Sequence, residues 1–303
     1  MNHIVFCLDD NYAALLGVAM HSILTHSHAK YCFWIMHNNL SNENQNKVKD
    51  IADKFEMPVF FVPVDENKEL LDFRKPKIWA NKVCYYRMLA PIRIPLVAKK
   101  HNIKVEKLLF IDCDILVTGD LAPIFETDLR DKILAAVASP LHDEEKAHIP
   151  ELGISKTHKF FYAGLMFIDC QKWQDCKIYE KSVEIDRAHP DGLKWADMDI
   201  LNIIFQDDYV ILHPKYSIWP GLNFKPYLFE YNNFLDGYRG IYDDGLVCNA
   251  FRNPVVLQLA GGAKPWRECC RFAIVWRWFI NSFRTPYRQD GIKYIKNKIR
   301  KIK

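Results

Sequence analysis

The apolar positions along this chain switch between short continuous runs and a helical repeat. His3–Leu8 is a nearly unbroken apolar run, as suits a strand buried on both faces, and Asp9-Asp10-Asn11 ends it. Over Ala13–Thr25 the apolar residues recur at helical spacing, with Leu15, Val18, Ala19 and Ile23 on one face. Tyr31–His37 reads as a second strand and Val59–Val64 as a third. Between them Ser41–Phe55 reads as a helix. Ser41 is its N-cap, and Asn44 stands where Glu or Gln would complete a capping box. This β-α-β-α-β order predicts right-handed crossovers and a largely parallel sheet.

Further along, Lys82–Ala90 and Met198–Phe205 read as helices. Lys107–Ile111, Phe160–Ile168 and Tyr209–Leu212 read as strands. Pro and Gly punctuate residues 214–226 and 253–265, which are expected to be loops. The fold class is therefore α/β. In open sheets of this class, ligands sit beyond the carboxyl ends of the strands. Two acidic clusters fall at such ends: Asp9-Asp10 after the first strand, and Asp112-Cys113-Asp114 after Lys107–Ile111.

Composition changes this picture in three ways. First, the net charge of +4 is unevenly spread. Residues 271–303 hold ten Lys/Arg against the single acid Asp290, a charge of +9, which leaves −5 for residues 1–270. A mildly acidic body argues against a nucleic-acid partner, and the basic tail implies a separate electrostatic role. Second, the nine Cys are scattered, with no pair at zinc-site spacing, so free thiols in a reducing compartment are expected. Third, the first ten residues lack a basic start and an apolar core of signal-peptide length. The most apolar tail stretch, Phe272–Ile280, is too short to span a bilayer.

The strongest chemical signal is Leu108-Leu109-Phe110-Ile111-Asp112-Cys113-Asp114-Ile115-Leu116-Val117. Two carboxylates sit one residue apart inside an apolar run. Burying like charges costs several kcal/mol each unless something neutralises them. A hard divalent cation does so, and prefers oxygen ligands. The competing reading, two acids exposed at a strand end, fits the apolar flanks less well.

Five motifs follow one another in order: Asp-Asp-Asn-Tyr at 9–12, Leu-Phe-Ile-Asp-Cys-Asp at 109–114, Tyr-Ala-Gly at 162–164, Asp-Met-Asp-Ile-Leu-Asn at 197–202 and Gly-Gly-Ala-Lys-Pro-Trp at 261–266. In this the chain resembles glycosyltransferase family 8, in particular the bacterial lipopolysaccharide galactosyl- and glucosyltransferases, over roughly residues 3–268. The resemblance implies a GT-A fold and a retaining transfer of galactose or glucose. The donor would be a UDP-hexose, the cofactor Mn²⁺ or Mg²⁺, and the acceptor a saccharide or glycolipid such as lipopolysaccharide core. Carried over by position, Asp9, Asn11 and Tyr12 would hold the uridine, and Arg87 would touch the donor. Asp112 and Asp114 would hold the metal and the ribose or sugar hydroxyls, with Cys113 between them in the same nucleotide-binding motif. Gly261 and Lys264 would meet the pyrophosphate, and Asp197 and Asp199 would position the sugar. The residue types agree: Gly261-Gly262 lets backbone approach a phosphate, and Lys264 offers a compact charge to a departing diphosphate. Asp197 also reads as a helix N-cap.

Three positions depart from the family pattern. Gln258 stands where a metal-ligating His is usual, Met198 where Gln faces the anomeric carbon, and Tyr162 where Asn precedes Ala-Gly. A UDP-sugar binder of low or no activity is therefore the alternative to an enzyme. A nicotinamide dehydrogenase is disfavoured, because no G-x-G-x-x-G follows the first strand. Residues 1–268 are expected to form the catalytic domain. Residues 269–303 carry Trp276, Trp278, Phe279, Phe283 and Tyr287 among arginines, a pattern expected of a segment that meets an anionic membrane surface. The expected location is cytoplasmic, on the inner face of the membrane.

Overall fold

The structure, a computed structural model, describes residues 1–76, 82–141, 143–189, 193–219, 235–259, 264 and 272–302. The strands are β1 (Asn2–Leu8), β2 (Tyr31–His37), β3 (Val59–Pro63), β4 (Lys107–Ile111), β5 (Ile115–Val117), β6 (Leu134–Ala138), β7 (Phe161–Asp169), β8 (Val210–Ile211) and β9 (Val256–Gln258). The first helices are α1 (Ala13–His26), α2 (Asn42–Asp53), α3 (Glu66–Glu69), α4 (Tyr86–Lys100), α5 (Ala122–Phe125) and α6 (Asp143–His148). After them come α7 (Cys170–Asp175), α8 (Ile178–Ala188), α9 (Asp197–Phe205), α10 (Asp244–Arg252), α11 (Phe272–Phe283) and α12 (Arg288–Ile302).

Seven strands form one sheet in the order β3-β2-β1-β4-β7-β6-β8. The half from β3 to β4 is parallel, as the helical crossovers require. β7 then runs antiparallel to both β4 and β6. The chain moves outward from β1 to β3 and returns to place β4 on the other side of β1. The order therefore reverses between β1 and β4, which opens a crevice at their carboxyl ends. A separate antiparallel ribbon, β5–β9, lies immediately beyond β4, with Ile115 opposite Gln258. This ribbon was not anticipated; strands of three residues carry too little periodicity to be read.

Local details explain why the elements start and stop where they do. Ser41 caps α2 by accepting from the Asn44 N–H at 3.3 Å. Asn44 does not reach back to complete the box. Asp10 supplies the missing carboxylate, accepting from both Ser41 N–H and Asn44 Nδ2 at 2.8 Å. Asp10 is thus structural; Asp9 caps its own short turn by accepting from Asn11 N–H at 3.0 Å. Helix α4 continues past the expected Ala90 despite Pro91 and Pro95. Pro95 has no N–H to offer the Pro91 carbonyl, and Gln174 Nε2 donates to it instead at 3.0 Å.

Two apolar clusters cover the faces of the sheet. One joins α1 and α2 to the β5–β9 ribbon, and the other joins α4 to α9. Trp278, Phe279 and Tyr287 from the basic C-terminal segment are buried in the first of these, so those three rings belong to the core of the body. His21 Nδ1 lies 2.7 Å from Asn281 Oδ1 at the same seam. Trp276 remains 53% exposed. Among the described residues, no helix is long and apolar enough to cross a membrane.

Gly17 makes this docking possible. A Cβ there would meet the Tyr287 ring at 2.4 and 2.6 Å and Ile51 at 3.3 Å. Gly17→Ala should therefore destabilise the protein by about 1–2 kcal/mol, an overpacking penalty partly offset by better helix propensity. Limited proteolysis should show earlier cleavage near α11 and α12. An unchanged digestion pattern and melting curve would contradict this packing.

Candidate active site

Asp112 and Asp114 emerge where β4 ends. The Asp112 N–H continues the β4–β7 pairing by donating to the Gly164 carbonyl at 2.9 Å. Its carboxylate is held on both sides, with Arg87 Nη2 3.1 Å from Oδ1 and Tyr162 OH donating to Oδ2 at 3.0 Å. Gly164 is needed for this arrangement. A Cβ on it would lie 2.4 Å from Asp112 Oδ2 and 2.2 Å from Tyr162 Cε1. The Tyr-Ala-Gly motif includes Gly164 but the sequence assigns it no role, although a glycine inside a bulky apolar strand is a mark of close approach.

Arg87 is the hub. Nη1 donates to the Ala163 carbonyl at 2.7 Å and Nε lies 3.0 Å from Asp197 Oδ2. The guanidinium sits 4.5 Å from the centre of the Phe110 ring. Three of the expected residues, Arg87, Asp112 and Asp197, are thus brought into one buried cluster. Asp114 forms a second pair, with Lys264 Nζ 2.7 Å from Oδ2. Leu259 N–H donates to the Asp114 carbonyl at 2.8 Å, which places the end of β9 beside it.

Gln258 is 1% exposed, and neither of its amide atoms has a hydrogen-bond partner among the described residues. A buried unsatisfied amide is costly and calls for an explanation. Two carboxylates and an amide oxygen at the mouth of one ribbon form an all-oxygen donor set that fits a hard divalent cation. Among the described residues, no three His, Cys, Asp or Glu side chains gather as a ligand group, so the amide would be the third protein donor.

Other expected residues lie elsewhere. Asp9, Asn11 and Tyr12 form the turn after β1, at the same end of the sheet. Cys113 points into the core: it is 5% exposed, its Sγ lies 3.6 Å from the Cys7 carbonyl, and burial pushes its thiol well above the ordinary range. Its side chain is thus not presented to a ligand. Asp199 is fully buried and does not join the Arg87 cluster. Its Oδ2 accepts from Trp195 N–H at 2.8 Å and lies 3.0 Å from His148 Nε2, a partner that sequence reasoning missed. The expected N-cap role of Asp197 is corrected. Ala196 precedes α9 with no side-chain cap, because the Asp197 carboxylate is drawn to Arg87. Gly261 lies outside the described residues.

Burial pushes the Asp197 carboxyl up to about 6, opposed by Arg87 and reinforced by Asp112. Burial also raises Asp112, against the pull of Arg87. One guanidinium shared by the buried Asp197 and the half-buried Asp112 cannot fully repay the desolvation of both carboxylates. The native carboxyl of Asp197 holds its proton more tightly than an ordinary Asp near 3.8. Its contribution to stability is therefore fully present below about pH 4 and lost as pH rises through about 6. Asp197→Asn should remove that component. Relative to wild type, the variant should gain on the order of 2–3 kcal/mol between pH 4 and pH 7 in urea unfolding. A difference that stays flat with pH would contradict the shift.

The family model described as glycosyl transferase family 8 matches residues 3–270. The chain belongs to glycosyltransferase family 8. General stress protein A of Bacillus subtilis is 29% identical over 297 residues, covering 97% of this chain and 92% of its own length. A lipopolysaccharide 1,2-glucosyltransferase of Escherichia coli K12 is 20% identical over 294 residues, covering 95% of this chain and 80% of its own. Among solved structures, the galactosyltransferase LgtC in complex with donor and acceptor sugar analogs superposes with a TM-score of 0.76 at 23% identity. That match covers 94% of this chain and 96% of the other. The family 8 chain therefore has the GT-A fold, with a mixed, largely parallel seven-stranded sheet as its platform. The antiparallel β7 and the β5–β9 ribbon are the parts that carry the Asp112 and Asp114 surroundings.

Proposed function

We propose that this family 8 glycosyltransferase is a retaining hexosyltransferase. It moves galactose or glucose from a UDP-sugar to a saccharide acceptor, lipopolysaccharide core or another glycolipid. The observation that carries the reading is the Asp112–Asp114 pair at the β1/β4 crevice, flanked by the cations Arg87 and Lys264. Asp112, Asp114 and Gln258 would hold Mn²⁺ or Mg²⁺. Such an ion supplies Lewis-acid stabilisation of the charge that builds on the leaving UDP.

The chain's own residues do the rest. Asp9, Asn11 and Tyr12 bind uridine at the β1 end of the crevice. Lys264 turns from Asp114 toward the diphosphate, and with Gly261 stabilises its charge as the glycosidic bond breaks. Arg87 fixes the Asp112 carboxylate and reaches the donor through it. Asp197, held by the same guanidinium, helps orient the hexose, and Asp199 stiffens the start of α9 through Trp195 and His148. Orientation of donor and acceptor in one cleft lowers the entropic part of the barrier. The exposed Trp276 and the cationic α12 would bring the protein to an anionic membrane surface on the cytoplasmic side.

A UDP-sugar binder of low activity is the second reading. The contact of Tyr162 with Asp112 and the neutral Gln258 favour it. Release of UDP from UDP-galactose, UDP-glucose and UDP-N-acetylglucosamine, each with Mn²⁺, separates the two. Turnover of one of the two hexose donors is expected. Tight UDP binding with no turnover of any donor would leave the binder.

A further inference from the structure

Two clefts adjoin at the far end of the β5–β9 ribbon, against α11. One, of about 530 Å³, is lined by Lys215, Arg252 and Arg277 beside His213. The other, of about 460 Å³, has Arg284 and His26 and shares Arg277 and Thr118 with the first. Among the described residues, no Asp or Glu lines either cleft. Among the described residues, none of Lys215, Arg252, Arg277 and Arg284 is ion-paired with a carboxylate. Gathering four cations around two adjoining clefts, with no carboxylate partner among the described residues, is electrostatically unfavourable, and a bound anion relieves it.

The walls are fixed. Thr118 N–H donates to the Val255 carbonyl at 2.9 Å and Thr118 Oγ1 to the Pro254 carbonyl at 2.6 Å. Val255 N–H in turn donates to the Lys215 carbonyl at 2.8 Å. His213 Nδ1 accepts from Lys215 N–H at 3.1 Å, so in the neutral ring the proton sits on Nε2, a donor. Burial first, then the Lys215 charge, hold His213 below its ordinary range. The place is distinct from the candidate active site. Thr118 is four residues beyond Asp114 along β5, roughly 13 Å at the rise of an extended strand.

We propose that this basic cleft binds phosphate groups of a ligand other than the sugar donor. Arg277 lies at the junction, with Lys215 and Arg252 on one side and Arg284 on the other. Phosphate is the favoured chemistry because guanidinium forks and a lysine ammonium match its oxygens and its charge. The phosphate can be free or carried by a lipid headgroup, and two arms of one experiment tell them apart.

The full-length protein, labelled at histidine, is titrated with inorganic pyrophosphate while the His213 ring is followed by NMR. In parallel, it is sedimented with vesicles of phosphatidylglycerol or of phosphatidylcholine. The same measurements are made on the double variant Lys215→Gln, Arg277→Gln. A saturable His213 response to pyrophosphate, weakened at least tenfold in the double variant, establishes the site for free phosphate. A pyrophosphate-silent protein that binds phosphatidylglycerol vesicles, and loses that binding in the double variant, assigns it to a lipid headgroup. A His213 response that is the same in both proteins overturns the proposal; so does a pyrophosphate-silent protein whose vesicle binding is absent or unchanged in the double variant.

Discussion

Arg87→Met is expected to destabilise the protein by about 3–5 kcal/mol at neutral pH and to abolish transfer. Methionine keeps the length of the apolar stem over Phe110 but removes the charge between Asp112 and Asp197. Breaking a buried ion pair by deleting one partner leaves the other charge uncompensated, and here two carboxylates lose the same cation. The Ala163 carbonyl also loses its donor. The remaining carboxylates should then pick up protons. Part of the lost stability should return as pH falls from 7 toward 5, because burial already raises both groups. Urea unfolding at the two pH values checks this. A loss below about 1 kcal/mol would mean that Arg87 is an ordinary surface arginine.

Asp114→Asn and Asp112→Asn should each lower metal-dependent UDP release on the order of 100- to 1000-fold, with the fold retained. The size follows from removing one preorganised electrostatic partner of a developing charge. The two should differ in their side effects. Asp114→Asn removes the carboxylate 2.7 Å from Lys264, so less of the lysine's charge is compensated when a diphosphate binds. UDP binding in the absence of metal should therefore weaken less in this variant than turnover does. Asp112→Asn disturbs the Tyr162 and Arg87 contacts and should alter the pH response of the cluster as well. Unchanged turnover in both variants would remove the pair from the mechanism.

The parallel half of the fold was legible because its strands and helices announce themselves locally. β2 and β4 have the residue bounds read from apolar runs, and β1 differs by one residue. The direction of β7 was not legible, since an apolar strand carries no mark of which way its neighbours run. β6, Leu134–Ala138, escaped because its three alanines give little strand signal. At the site, the Asp112–Asp114 pair could be read because two acids interrupt an apolar run. The meeting of Arg87 with Asp197 could not, because 110 residues separate them and only the packing of α4 against α9 and β7 brings them together. The reading of Asp199 as a sugar-positioning residue shared this limit. Neighbouring positions on a helix face different partners, and only the fold shows that His148 and Trp195 claim it. Trp276, Trp278, Phe279, Phe283 and Tyr287 look alike in sequence, yet Trp278, Phe279 and Tyr287 are core residues.

The most direct test is Mn²⁺ binding followed by electron paramagnetic resonance in the presence of UDP. The wild-type protein should bind one ion with loss of the free-Mn²⁺ signal, and Asp112→Asn and Asp114→Asn should each restore that signal at the same concentrations. Equally tight Mn²⁺ binding by all three proteins would contradict a metal held by these aspartates.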